Sequence, residues 1–273
     1  MARMAVDNKL RDKTIADFGD QWTTYTDNSG WYGSTELFRT ILGPIVSENE
    51  IRGKRVADVG SGTGRIVNML LSLGADHVTA IEPSDAFTVL KQNTRHAGDK
   101  VTCLQLRGDQ IPENDFDHVL CIGVIIIIPD PKPVVEAAYR AIKPGGRYTI
   151  WLYGKEGNEL YLSIFLPVMS VTRHLPHKVL AALCWALTVP LALYIAGCRL
   201  FNLPMREYMV RHLGPMTWDK RQLTIYDQLN PSYVKYYTRQ EAVDLLKSAG
   251  FENIEIYPRL GYSYTLTATK PVR

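Results

Sequence analysis

Short apolar, β-branched runs alternate with stretches of helical periodicity from about residue 55 to residue 152. The predicted strands are 55–59, 78–82, 101–107, 117–124 and 147–152. The predicted helices between them are 64–73, 86–95 and 133–142. This alternation is typical of a parallel sheet that is covered by helices on both faces.

The alternation stops after the fifth strand and resumes near the end of the chain. Residues 159–237 are predicted to form several helices separated by prolines. A helix at 239–249 and strands at 254–258 and 262–269 follow, and the last two strands form a hairpin. We therefore expect an α/β, Rossmann-like sheet of seven mostly parallel strands, with one antiparallel member from the C-terminal hairpin and a helical lid insertion. The expected parts are an N-terminal helical cap (1–50), an α/β core (51–153), a lid (154–237) and a C-terminal helix with the hairpin (238–273).

One part of the lid is unusually apolar. Residues 179–198 carry no charged side chain and are long enough to cross a bilayer. Pro190 interrupts the stretch, and strands of the same sheet are predicted on both sides of it, so a single crossing would separate those strands. We expect a buried or substrate-covering pair of helices, with a hairpin that docks on a membrane surface as the alternative.

Composition narrows the choice of partners. The net charge is +3 and no stripe of basic and aromatic residues is present, so a nucleic-acid partner is not expected. The four cysteines are scattered without metal-ligand spacing, which predicts reduced cysteines and no metal site. The N-terminus lacks the apolar region of a secretory signal. These features favour a cytoplasmic protein, with contact at a membrane surface through 179–198 as the exception.

A glycine-rich turn follows the first strand in the segment RVADVGSGTGR, residues 55–65. Glycines let the backbone approach a ligand closely, and a helix begins directly after the turn. A dinucleotide fingerprint requires a third glycine at position 65, but that residue is Arg65 and the glycine is Gly64. Asp58 precedes the turn, where a carboxylate would repel a pyrophosphate but suits a cofactor with an ammonium and a sulfonium. The turn therefore disfavours a nicotinamide-dependent dehydrogenase.

Acidic residues also stand at the ends of the next two strands. Glu82 ends the second strand, where a carboxylate can accept hydrogen bonds from ribose hydroxyls, and Asp109 follows the third, within reach of an adenine amino group. The carboxyl ends of parallel strands meet at one edge of the sheet, which is where open α/β sheets bind their ligands.

The motifs DVGSGTG, AIEPS, RGDQIP, FDHVLCIGV and IKPGGR, in this order, resemble those of class I S-adenosylmethionine (SAM)-dependent methyltransferases. The segment PDPKPVVEAAYRAIKPGG is similar to the small-molecule group that includes quinone and sugar methylases. The resemblance implies transfer of a methyl group from SAM to a small apolar or amphiphilic metabolite, with S-adenosylhomocysteine as the product. The implied cofactor-binding residues are Trp22, Asp58, Gly60, Ser61, Gly62, Glu82, Pro83, Asp109, Gln110, Ile122 and Gly123.

The sequence departs from that group at one place. Members often carry two adjacent histidines after the fourth strand, and this chain has Ile126 and Ile127 there. Three alternatives follow: the base lies elsewhere, the reaction needs no base, or the chain is a SAM-binding protein with lost or weak transfer activity.

The lid is the predicted acceptor site because it leaves the sheet at its carboxyl edge. An oxygen or nitrogen acceptor needs a base, and the candidate catalytic residues are Asp227, His174 and Tyr153. Polar and aromatic residues near the end of the lid are predicted to bind the acceptor; these are Tyr226, Asn230, Tyr236, Tyr237 and Arg239. A peripheral-membrane lipid or prenyl methyltransferase is a further alternative.

Overall fold

A computed structural model describes residues 2–113, 115–172 and 174–272, without the side chains of residues 2–7 and residue 160. The strands are β1 (Arg55–Val59), β2 (His77–Ile81), β3 (Val101–Leu104), β4 (Phe116–Ile122), β5 (Ile142–Tyr153), β6 (Glu252–Arg259) and β7 (Ser263–Thr269). The helices of the core are α1 (Ala2–Thr24), α2 (Thr35–Leu42), α3 (Arg65–Ser72), α4 (Phe87–Thr94), α5 (Lys132–Ala141) and α9 (Arg239–Ser248). Residues 154–237, the predicted lid, contain α6 (Glu159–Thr172), α7 (His177–Leu200), a π-helical segment (Tyr208–Leu213) and α8 (Trp218–Leu229).

The seven strands form one sheet in the order β3-β2-β1-β4-β5-β7-β6. Strands β1 to β5 pair in parallel, whereas β7 is antiparallel to both β5 and β6. The predicted fold class, including its single antiparallel member, is confirmed. The predicted turn at 143–146 lies within β5, where the pairing with β4 shifts between the pairs Phe116–Ile142 and His118–Arg147.

Neighbouring residues of the strands face opposite sides of the sheet, which builds one apolar layer on each face. In β1, Val56 packs with helices α2 and α3, and Ala57 packs on the other side with α5 and α9. Helices therefore cover both faces, and a ligand can reach the sheet only at an edge. The hairpin between β6 and β7 returns to the carboxyl edge of β5, because Tyr153 pairs with Ser263 and Arg259 pairs with the same serine.

Helix α7 differs from the prediction in two respects. Pro190 does not interrupt it, since the helix is continuous from His177 to Leu200 with the proline inside. The helix is also only partly covered: Leu180, Cys184 and Thr188 are buried, but Trp185 is 58% exposed and Leu193 is 71% exposed on the opposite face. By length and composition it is the one helix, among the described residues, that is able to cross a membrane.

Candidate functional site

A cavity of about 390 Å³ lies at the carboxyl edge of the sheet. Its walls come from α1, the turn after β1, the ends of β2, β4 and β5, the β6–β7 hairpin and the lid. The cavity thus joins the glycine-rich turn to the lid, which are the regions predicted to bind cofactor and acceptor.

The glycines of the glycine-rich turn adopt positive φ angles and pack closely against neighbouring side chains. Gly60 has φ +77°, and a Cβ there would lie 2.4 Å from Cγ2 of Val124. Gly62 has φ +52°, and a Cβ there would lie 3.4 Å from Nε1 of Trp22, which comes from α1. Both glycines and Trp22 line the cavity. Ser61 also lines it, and its hydroxyl donates to the carbonyl of Asp58 at 2.9 Å.

Asp58 is buried near the end of β1 and forms no ion pair with any residue that the structure describes. Its side chain is 1% exposed, and Oδ2 has no hydrogen-bond partner among the residues that the structure describes. Burial raises the pKa of Asp58 to about 7. An unpaired buried carboxylate is costly, so this geometry suits a ligand that brings a positive charge.

Glu82 and Asp109 both line the cavity but already have partners in the chain. The N–H of Gly62 donates to Oε2 of Glu82 at 2.8 Å, and the N–H of Ser84 donates to Oε1 at 2.9 Å. Asp109 is held by two hydrogen bonds from Arg107, at 3.0 and 3.2 Å. A carboxylate has about four acceptor positions, so both groups retain capacity for ligand hydroxyl or amino groups.

The structure also places the other predicted cofactor residues. Pro83, Ile122 and Gly123 line the cavity. Gln110 does not: it is exposed, and its side chain accepts a hydrogen bond from the backbone of Arg107 at 3.1 Å. The amide therefore stabilises the short turn that carries Asp109.

Two of the three predicted catalytic residues lie in the cavity. Asp227, on α8, is partly buried and accepts a hydrogen bond from Nε2 of Gln21 at 2.9 Å, and desolvation raises its pKa. Tyr153 accepts a hydrogen bond from Gln228, and burial raises its pKa well above the ordinary value. A tyrosine in that environment keeps its proton, so Tyr153 suits a positioning role better than that of a base.

His174 is the third candidate, and the structure does not bring it to the cavity. It is an exposed residue in the turn between α6 and α7, and it is absent from the cavity wall. Ile126 and Ile127, in contrast, do line the cavity, so the position of the missing histidine pair is filled by apolar side chains.

Among the predicted acceptor residues, only Tyr236 lines the cavity, where its ring stacks on Tyr153 with centroids 5.4 Å apart. Tyr237, the next residue of an extended segment, points the other way into the core. Tyr226 precedes Asp227 on α8 and packs with α7 instead, because successive helical residues point in different directions.

Asn230 and Arg239 also lie outside the cavity wall. Asn230 is buried behind Gln21, with its Nδ2 3.4 Å from the Oε1 of that residue. Arg239 is exposed at the start of α9, over the ring of Tyr264. Neither is placed to contact a ligand in the cavity.

Several cavity residues were missed by the sequence reasoning. They come from the end of β5, the π-helical segment and the β6–β7 hairpin, and they are Trp151, Tyr208, His212, Arg259 and Tyr262. Burial, with the nearby charge of Arg259, lowers the pKa of His212 to about 3, so its ring is neutral. One sequence feature could have indicated these residues. In the hairpin segment, residues 257–264, tyrosines cluster around a single arginine.

Comparison with known proteins agrees with this geometry. Residues 57–150 match the family described as a methyltransferase domain. A ubiquinone biosynthesis O-methyltransferase from Hydrogenovibrio crunogenus is 26% identical over 161 residues, which are 57% of this chain and 65% of the relative. The chain therefore spans slightly less than two thirds of that relative.

Two solved structures share the fold. A SAM-dependent methyltransferase from Methanosarcina mazei superposes with a TM-score of 0.53 at 18% identity, covering 85% of this chain and 99% of the other. The 1,6-didemethyltoxoflavin-N1-methyltransferase of Burkholderia thailandensis, solved with 1,6-didemethyltoxoflavin and S-adenosylhomocysteine, gives 0.52 at 18% identity, covering 99% and 90%. The match over residues 57–150 shows a methyltransferase domain, and the fold is shared with SAM-dependent methyltransferases, whose cofactor is SAM.

The residues of the cavity fit this cofactor. The unpaired Oδ2 of Asp58 is a partner for the ammonium of the methionine portion. Gly60 and Gly62 line the cavity with positive φ angles, and Glu82 offers carboxylate oxygens at the end of the neighbouring strand β2.

Proposed function

We propose that the protein transfers the methyl group of SAM to a hydroxyl oxygen of a small apolar or amphiphilic molecule. The observation that carries the proposal is a cavity whose wall contains the glycine-rich turn, the partly buried carboxylate of Asp227 and aromatic side chains between them. The relative that methylates oxygen in ubiquinone biosynthesis supports oxygen as the acceptor atom. We also propose that two parts of the chain cover the two ligands, as expected from the sequence. Helix α1 is the cap over the cofactor, and residues 154–237 are the lid over the acceptor.

SAM supplies a methyl group on a sulfonium, and the residues of the chain align the acceptor and remove its proton. Aromatic side chains of Trp151, Tyr153 and Tyr236 surround the acceptor side and exclude water. Asp227 is the proposed base. Its raised pKa brings it closer to neutral pH, where a base is most effective, and Gln21 fixes its orientation.

The decisive experiment measures formation of S-adenosylhomocysteine from SAM with a panel of phenols, catechols and long-chain alcohols. Asp227→Asn should lower kcat by about 100-fold or more, because general-base catalysis typically contributes that much. Asp219→Asn is the matched control, since this aspartate is exposed at the start of the same helix. An unchanged kcat in Asp227→Asn would remove it as the base. Tight binding of S-adenosylhomocysteine without turnover of any acceptor would favour the alternative, a SAM-binding protein with lost transfer activity.

A specific observation favours a second feature, contact with a membrane surface. Except for Trp218 and Val272, all large hydrophobic side chains that are exposed in the described chain lie between residues 164 and 205. They belong to α6, α7 and the chain just after α7. An exposed apolar surface of this kind marks an interaction site.

We propose that a lipid bilayer surface covers this face, with the protein cytoplasmic and peripheral to the membrane. The outer side of α7 has no charged residue between Lys178 and Arg199, and both of these basic side chains are exposed at its ends. Apolar helices flanked by cations bind in the interface of anionic bilayers. A protein partner would more commonly require some polar groups within the contact.

The test is co-flotation of the protein with vesicles of phosphatidylcholine and phosphatidylglycerol. Trp185→Glu with Leu193→Glu should abolish flotation, because both side chains are mostly exposed and can be replaced without disturbing the core. Val272→Glu, an exposed apolar residue at the opposite edge of the sheet, is the control. If the wild-type protein does not float, or forms a dimer in light scattering that the double variant disrupts, the bilayer is not the partner.

A further inference from the structure

Arg259 lies at the end of β6 and forms part of the cavity wall. Its side chain is only 2% exposed, which makes it the largest fully buried side chain of the protein. A buried guanidinium keeps its proton and positive charge, so burial at this site is costly unless the charge is compensated.

All hydrogen-bond partners of Arg259 in the described chain are neutral. Its Nε donates to the carbonyl of Thr40 at 3.0 Å, and Nη2 donates to the hydroxyl of Thr40 at 2.9 Å and to Nδ1 of His212 at 3.3 Å. Nη1 donates to the hydroxyl of Tyr262. These bonds use four of the five N–H groups of the guanidinium. The fifth N–H group has no hydrogen-bond partner among the described residues, and it can donate to a ligand.

No carboxylate of the described residues lies within 4.0 Å of the Arg259 guanidinium. His212 does not supply negative charge, because a histidine ring is neutral or positive. Asp227, the partly buried acid of the lid, accepts a hydrogen bond from Gln21 instead. The positive charge of Arg259 is therefore left for a ligand to neutralise.

The cofactor is not suited to supply that negative charge. Its binding turn follows β1, and β6 lies four strand positions away in the sheet order. At roughly 4.8 Å per strand, the two backbone positions are about 19 Å apart. Arg65, which begins α3 beside the turn and also lines the cavity without a carboxylate partner, is the nearer cation for the cofactor's carboxylate. Arg259 lies on the acceptor side, next to Tyr208 and Tyr262, whose ring centroids are 4.5 Å apart.

We propose that Arg259 binds an anionic oxygen group of the acceptor, so that the substrate class is a small molecule with a carboxylate or a phosphate. The inference rests on the proposed methyl transfer, and it adds the charge of the acceptor to it. The Tyr208 and Tyr262 rings and the neutral His212 ring form the walls around this group.

The proposal is tested by calorimetry on the protein saturated with S-adenosylhomocysteine. The probes are benzoate, phenyl phosphate and benzamide; benzamide has nearly the shape of benzoate but no charge. We expect the preferred anion to bind about tenfold or more tightly than benzamide, because a charge-assisted hydrogen bond is worth more than a neutral one. Whichever of benzoate and phenyl phosphate binds more tightly shows whether the site prefers a carboxylate or a phosphate.

Variants assign the preference to Arg259. Arg259→Gln should bind benzoate, phenyl phosphate and benzamide equally, and Arg259→Lys should keep part of the preference. Arg221→Gln is the control: this lid arginine also donates to backbone carbonyls, at 3.0 and 2.9 Å, but does not line the cavity. The Arg221→Gln variant should prefer the anions over benzamide as strongly as the wild-type protein does.

Two outcomes overturn the proposal: neither anion binds more tightly than benzamide to the wild-type protein, or the preference survives in Arg259→Gln. The comparison of the anions with benzamide on the wild-type protein tests the proposal even if Arg259→Gln does not fold. Failure of the proposed function gives a different result, since S-adenosylhomocysteine would then fail to bind or no acceptor would be methylated.

Discussion

Replacing Asp58 by asparagine should stabilise the ligand-free protein and weaken cofactor binding. Asp58 is 1% exposed and lacks a partner for Oδ2 in the described chain. Burial raises its pKa from 3.8 to about 7. Since one pKa unit corresponds to about 1.4 kcal/mol, keeping this carboxylate ionised in the folded protein costs about 4 kcal/mol.

The sign of the pH dependence follows from proton linkage. Below pH 3.8 the group is protonated in both the folded and unfolded states and has no effect. As the pH rises towards 7, only the unfolded state loses the proton, so stability falls; above 7 the loss is complete. The advantage of Asp58→Asn over the wild type should therefore grow from less than about 2 kcal/mol at pH 5 to about 4 kcal/mol at pH 8.

Cofactor binding should respond in the opposite direction. If the ammonium of S-adenosylhomocysteine pairs with the ionised form of Asp58, as we propose, binding below pH 7 must release a proton. Affinity should be about tenfold weaker at pH 6 than at pH 8. Asp58→Asn should weaken binding at pH 8 by about 10- to 100-fold, because a charge-assisted hydrogen bond is lost.

The assays are urea denaturation of the ligand-free protein and calorimetry of S-adenosylhomocysteine binding between pH 5 and pH 8. Calorimetry in two buffers with different ionisation enthalpies counts the released proton. Asp76→Asn, at an exposed aspartate just before β2, is the control and should change neither property. The reasoning is refuted if Asp58→Asn is less stable than the wild type at pH 8, or if affinity is the same at pH 6 and pH 8.

Three further substitutions have expected outcomes. Gly60→Ala should destabilise the protein by about 1–3 kcal/mol and weaken S-adenosylhomocysteine binding, because φ is +77° and the new Cβ would meet Val124 at 2.4 Å; urea denaturation and calorimetry measure the two effects. Trp151→Phe removes an indole N–H that is buried without a partner in the described chain, so it should leave stability nearly unchanged and lower acceptor affinity; an equal KM would contradict this. Pro190→Ala should stabilise the protein, by up to about 3 kcal/mol, and leave S-adenosylhomocysteine affinity unchanged; a lower melting temperature would contradict this.

The cofactor side of the site was predictable because its geometry is local. Asp58, Glu82 and Asp109 each stand at or just beyond the end of a strand, and parallel strands bring their carboxyl ends to one edge. The glycine spacing then fixes where the backbone can approach a ligand. Gln110 is the exception, because a side chain in a short turn can bond to its own backbone instead of facing the cavity.

The acceptor side was less predictable because its residues are brought together by packing between distant segments. Asp227 lines the cavity and its neighbour Tyr226 packs against α7, and the sequence does not reveal which face of α8 meets the cavity. Arg259 and His212 are 47 residues apart and meet only through the folding of the lid onto the hairpin. Periodicity also cannot orient α7, because a helix that is apolar on all sides gives no sign of which side is covered.

The two proposals about the acceptor and the apolar face constrain each other. An aromatic cavity with a buried cation selects a molecule that is apolar over most of its surface and anionic at one point, which is an amphiphile. Amphiphiles of that kind concentrate at the surface of a bilayer, where an apolar chain is buried and the charge remains in water. The inner side of the lid would contact such an acceptor, and its outer side is apolar. The lid would therefore lie at the bilayer surface, where the acceptor is concentrated. If Arg259 selects an anion and α7 binds vesicles, the substrate is an anionic amphiphile taken from the membrane interface; if only Arg259 selects an anion, it is a water-soluble acid.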